Sequence, residues 1–171
     1  LFTLYLNFFN KVNSGRLIAF TDCNFLNANF VRRSNRAIYK ITEAKGLFDW
    51  FINNPELITL FQVRHPIPTS LSILNNGWEN TINSYLNNKR FANTFLNGDK
   101  YDYCKNIING KDSLSIFVLN WVLENLIPLK SKLLGNILLI PYEDFILNPK
   151  KYFFLLEKTL DIKFNMDTDC F

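Results

Sequence analysis

The sequence predicts an α/β fold: a mostly parallel sheet with helices on both faces. Two short, almost wholly apolar runs, at 57–63 and 136–140, read as strands buried on both sides. Segments with apolar residues at 3–4 spacing lie between and after them, as helices covering such a sheet require. No internal repeat and no linker breaks this alternation, so residues 1–171 are expected to form a single domain.

Taken in order, Leu17–Phe20 is a short apolar run closed by Thr21-Asp22, a candidate buried strand. Asn-rich, basic sequence follows to Asn35, and Ala37–Ile41 reads as a second short strand. From Glu43 to Phe51 the pattern is helical, with Leu47, Phe48, Phe51 and Ile52 on one side, and Asn53-Asn54-Pro55 stops it. Leu57–Val63 is the strongest strand candidate. Pro66 and Pro68 are tolerable only in the first turn of a helix, which should run to about Asn75 and end at Asn76-Gly77.

Helical pattern resumes from Trp78 to Leu96, and a polar stretch from Asn97 to Lys111 reads as a connection. A long helix capped by Asp112 or Ser113 carries Ile116, Leu119, Trp121, Leu123 and Leu126 until Pro128 interrupts it. The strand at 136–140 follows. Asn148-Pro149 then reads as a cap with proline at the first helical position, opening a last helix over about Lys150–Leu160.

Composition bounds the function without naming it. Of 171 residues, 48% are hydrophobic and 20% charged, which supplies a core and excludes a disordered chain. The net charge of +4 suits an anionic ligand. Its densest basic cluster, Arg32, Arg33 and Arg36, sits in polar sequence and reads as a solvated loop, so no nucleic-acid partner is expected. The 3 cysteines, Cys23, Cys104 and Cys170, lack CxxC spacing, which argues against a disulfide framework or zinc site and slightly favours a cytoplasmic setting. No apolar run has the length of a membrane span. The chain begins at Leu1 and its 1 methionine is Met166, from which a fragment or processed chain is expected.

The segment Val63-Arg64-His65-Pro66-Ile67-Pro68-Thr69-Ser70-Leu71-Ser72 carries the chemistry. Ligands of open α/β sheets bind beyond the carboxyl ends of strands. A helix opening there offers unpaired N–H groups and a positive dipole end to an anion. Arg64 adds a planar cation that can engage two phosphate oxygens, and Ser72 adds a hydroxyl donor. The alternative is that Arg64 pairs with a nearby carboxylate and Ser72 merely packs.

Arg-x-Pro with serine eight residues after the arginine resembles the 3′-phosphate-binding motif of sulfotransferases that use 3′-phosphoadenosine 5′-phosphosulfate. Tyr39-Lys40-Ile41-Thr42-Glu43, the helix around Trp121, the strand Ile137–Ile140, Tyr142-Glu143-Asp144 and Asn148-Pro149 are similar to the family's other landmarks in order and spacing. The resemblance covers roughly Ile38 to Leu160. It implies a three-layer domain related to the P-loop NTPases, with Arg64 and Ser72 on the 3′-phosphate of the donor nucleotide. His65 stands where the family more often has Asp or Asn. The family's Lys/Gly/Ser/Thr-rich loop for the 5′-phosphosulfate is not found, nor is its Gly/Lys-rich C-terminal segment, so the domain is expected to be incomplete.

The implied reaction moves a sulfuryl group from that donor to a hydroxyl or amine acceptor, either a small molecule or a saccharide. It needs a base and positive charge near the leaving phosphate. One branch of the family places a base histidine after the Lys strand. Here Thr42 and Glu43 stand there, leaving Glu43 as candidate base and Lys40 as candidate assistant at the transferring group. A helix-opening glutamate and a solvated lysine are the plain alternatives. Tyr142-Glu143-Asp144 is read as structural, fixing the loop before the last helix. With His65 the sole histidine and no GxSxG, a Ser-His-Asp hydrolase is unsupported. No metal-ligand spacing, GxGxxG or GxxxxGK[ST] is present. A non-catalytic binding domain on the same fold and a nucleotide-kinase-like relative stay open.

Overall fold

The two strand candidates richest in apolar residues pair with each other. In the computed structural model, which describes residues 40–42 and 44–164, β1 (Leu60–Val63) and β2 (Leu138–Pro141) form a parallel two-stranded sheet. Its register sets Leu60 beside Leu138 and Val63 beside Pro141. Parallel neighbours need a long crossover, and here it is the whole helical segment between the strands. The fold is therefore mixed and mostly helical, with a small parallel sheet. The chain divides into two compact units, Leu1–Ile41 and Thr42–Phe171, and all elements below belong to the second. The strand candidate at 17–20 and residues 37–39 of the next lie outside the described residues.

A 3-10 turn at Lys45–Leu47 leads into α1 (Phe48–Asn53), so the helix starts later than the expected Glu43. It stops where the sequence indicates. Asn54, held extended by the proline after it, is the C-cap. Phe48 of α1 is buried edge-on against Phe61 of β1, ring centres 5.2 Å apart. The strand expected over 57–63 forms only at 60–63, because the four residues of β2 leave no partner for the rest. Leu57 instead donates its N–H to the Asn54 carbonyl in a turn.

The helix expected after β1 is α2 (Pro66–Asn75), with proline in its first turn, and Gly77 beyond its end takes a φ of +67°. The expected helix over 78–96 is instead two, α3 (Ile82–Leu86) and α4 (Lys89–Phe95). Asn88 separates them by accepting the Phe91 N–H at 3.1 Å. Asparagine is better placed as a cap than inside a helix. The polar stretch expected as a connection forms α5 (Asp99–Asn109). Tyr101, Cys104, Ile107 and Ile108 supply its inward stripe, and the charged residues between them lie on the outer face.

The centre of the unit is α6 (Ser113–Lys130). Asp112 caps it by accepting the Ser115 N–H. It runs past Pro128, where a stop was expected. Within the last turn that proline forfeits a single backbone bond, and its ring is fully buried. α2 packs along α6, and so do α3 and α5. Ile82, Leu86, Phe91, Leu96, Cys104, Leu119 and Leu123 form the shared core. Ile82 and Leu123 are 2% and 1% exposed, and full burial of such a side chain is worth about 1.5–3 kcal/mol. After β2 come α7 (Tyr142–Leu147) and α8 (Pro149–Leu160), both packed on β2. No helix among the described residues is long and apolar enough to cross a membrane.

Candidate functional site

Because β1 and β2 run parallel in register, their carboxyl ends open at one mouth. Val63 sits beside Pro141, so the next residues along each chain, Arg64 with Tyr142 and His65 with Glu143, are brought side by side. Arg64 lays its guanidinium over the Tyr142 ring, Cζ 5.1 Å from the ring centre. The His65 backbone N–H donates to Oε1 of Glu143 at 3.0 Å.

Arg64 and Ser72 are both exposed. The ion pairs among the described residues are Lys45–Glu124 and Lys151–Asp144, and Arg64 is in neither. The expected alternative, a carboxylate partner for Arg64, is therefore not what the structure has: an aromatic face holds the cation instead. Ser72 lies seven residues beyond His65, about two helical turns, on the side of α2 that also carries His65 and Thr69. Its carbonyl accepts from the Asn76 amide N–H and side chain. Its hydroxyl has no hydrogen-bond partner among the described residues.

One expectation about this mouth is corrected. The opening turn of α2 offers no spare N–H groups. Pro66 and Pro68 have none. His65 caps its own helix: its Nδ1 accepts the Ile67 N–H at 3.3 Å, and its carbonyl accepts the Thr69 N–H at 3.3 Å and the Thr69 hydroxyl at 2.9 Å. The His65 N–H is taken by Glu143. An anion here must be held by side chains, with the helix contributing only its dipole.

Tyr142-Glu143-Asp144 divides its work. Asp144 is the structural member: its carboxylate accepts from Tyr152 Oη at 2.6 Å, Lys151 Nζ at 2.8 Å and Asn148 Nδ2 at 2.6 Å. These donors, Lys151 foremost, lower its pKa to about 2 and bind α7 to α8. Asn148, expected to cap α8, stands at the cap position but gives its side chain to Asp144. A charged acceptor makes the stronger bond. Tyr142 and Glu143 belong to the mouth instead, a role sequence reasoning missed. The His65 N–H, with smaller help from the Glu143 backbone N–H and the nearby Arg64 charge, holds the Glu143 carboxyl below its usual range. No local signal reveals this, since the partners are far apart in the chain.

Lys40 is exposed and belongs to the unit that ends at Ile41. Glu43 lies outside the described residues. A separate open groove of about 460 Å³ is lined by Leu86, Lys89, Ala92, Asn93, Leu96, Asn97 and Tyr101, and shares no residue with the Arg64 mouth. The described residues contain no cluster of His, Cys, Asp and Glu suited to a metal ion. Burial pushes the Cys104 thiol pKa up, which marks it as core rather than nucleophile. Against known protein families, curated proteins and solved structures, the chain finds no match.

Proposed function

We propose that this chain is part of a three-layer, P-loop-NTPase-like sulfotransferase domain that takes 3′-phosphoadenosine 5′-phosphosulfate as donor. One observation carries the reading: an exposed Arg64, free of any ion pair among the described residues, at the carboxyl end of a parallel strand, with Ser72 exposed on the helix that follows. In this reading Arg64 takes two oxygens of the 3′-phosphate and Ser72 donates its hydroxyl to a third. With the first-turn amides already engaged, side chains carry this recognition alone.

In the transfer, the acceptor oxygen or nitrogen forms a bond to sulfur as the bond from sulfur to the 5′-phosphate oxygen breaks. The electron pair leaves with 3′-phosphoadenosine 5′-phosphate. The acceptor's proton goes to a base, for which Glu43 is the proposed residue. The acceptor class is a hydroxyl or amine on a small molecule or saccharide.

A second reading, a non-catalytic binding domain on the same fold, is favoured by the occupied amides at the start of α2, which leave the mouth fewer anion donors than a helix terminus usually has. Calorimetry of the whole chain tests the shared first step. 3′-Phosphoadenosine 5′-phosphate is expected to bind more tightly than adenosine monophosphate, and Arg64→Ala to weaken it roughly 10–100-fold, the worth of a charged hydrogen-bonded pair. Equal affinity for the two nucleotides, or indifference to Arg64→Ala, overturns the donor assignment.

A further inference from the structure

The parallel ladder ends awkwardly at this mouth. β2 ends at Pro141. Past it the chain turns into α7, so β2 offers no further strand carbonyl to the N–H groups that continue β1. The first displaced donor that matters is the His65 N–H, because it begins the turn into α2. Glu143 reaches it from the first turn of α7, its Oε1 standing where a backbone carbonyl would be if β2 ran on. A side chain thus adds one rung to the sheet.

That rung has a consequence for Arg64. Its backbone is held before it by β1, which pairs as far as Val63, and after it by the His65–Glu143 bond. Its guanidinium rests on Tyr142, the residue next to Glu143. Strand end, carboxylate latch and aromatic shelf therefore fix one arginine from three directions.

We propose that Glu143 is the positioning residue of the Arg64 mouth: its carboxylate latches the His65 N–H and so holds Arg64 over Tyr142, in the place from which it meets a ligand anion. The ligand part of this statement rests on the proposed donor reading; the latch itself does not. Two properties of the carboxylate pull against each other. As an acceptor it orders the corner, while as an anion beside Arg64 it opposes an incoming phosphate. Glu143→Gln keeps the accepting oxygen and removes the charge. Glu143→Ala removes both.

NMR of the whole chain separates these effects. In Glu143→Ala, the His65 amide is expected to exchange with solvent about tenfold faster or more, as a locally opened bond does. The Arg64 Nε–H resonance should lose the ring-current shift it takes from Tyr142. Glu143→Gln should retain both signals. Unchanged His65 exchange in Glu143→Ala, or an Arg64 resonance that does not move while exchange accelerates, overturns the proposal. Calorimetry with 3′-phosphoadenosine 5′-phosphate should find Glu143→Gln binding as well as the parent chain or better, and Glu143→Ala binding several-fold more weakly. If the parent chain binds no nucleotide while the NMR signals behave as described, the latch stands and the donor reading falls.

Discussion

At Asp144, three donors converge on one carboxylate, and the pH dependence of stability follows from that geometry. Its folded pKa of about 2 lies below the ordinary 3.8, so the unfolded chain binds the proton more readily than the folded one. The stabilisation is fully present above the ordinary value, and is lost as pH falls through that window toward 2. Thermal midpoints recorded across it should drop more gently for Asp144→Asn than for the parent chain; parallel curves would show that the three bonds are not coupled to folding. Ser70 presents the opposite case. It is 0% exposed within α2, and its Oγ has no hydrogen-bond partner among the described residues. A buried, unpaired hydroxyl is a cost. Ser70→Ala is expected to stabilise by about 1 kcal/mol in urea denaturation. Ser70→Leu, which forces bulk between α2 and its neighbours, should destabilise by about 1–3 kcal/mol.

Among the elements, α6 organises the helical part through a polar chain as well as a core. Asn120, 2% exposed, accepts the Thr81 N–H at 2.8 Å and the Thr81 hydroxyl at 3.1 Å, and donates to Glu124 at 2.8 Å. Glu124 in turn receives Lys45 at 3.2 Å. One helix face thereby holds both the loop before α3 and the 3-10 turn before α1. Asn120→Ala strands the Thr81 N–H and is expected to cost about 1–3 kcal/mol, measured by chemical denaturation. Local signals placed these elements unevenly. Asp112 and the prolines of α2 marked true helix starts. The Asn87-Asn88 break was equally local yet easy to pass over, because the apolar pattern runs on across it. The residues of α5 were misread on average polarity, although Tyr101, Cys104 and Ile108 already carried the helical stripe.

Across the whole described unit, the sheet is where sequence reasoning is weakest. Two apolar runs announce two strands, but neither says which runs pair or how far. Expected at 57–63, β1 is shortened to Leu60–Val63 by the length of β2, a partner nearly 80 residues on. The same distance separates the functional neighbours, His65 and Glu143 being 78 positions apart. Arg64 and Ser72 were legible as candidates because both lie within one strand-to-helix passage. Their surroundings were not, because Tyr142 and Glu143 reach them only through the register of the two strands. The apolar run, the fixed φ of Pro66 and the side chain of His65 act within a few residues, so local chemistry is enough to set where β1 stops, where α2 begins and that an arginine stands between them. Tertiary contact alone lays Arg64 on an aromatic ring and gives the His65 N–H to Glu143, because strand register is set by packing the whole crossover between them.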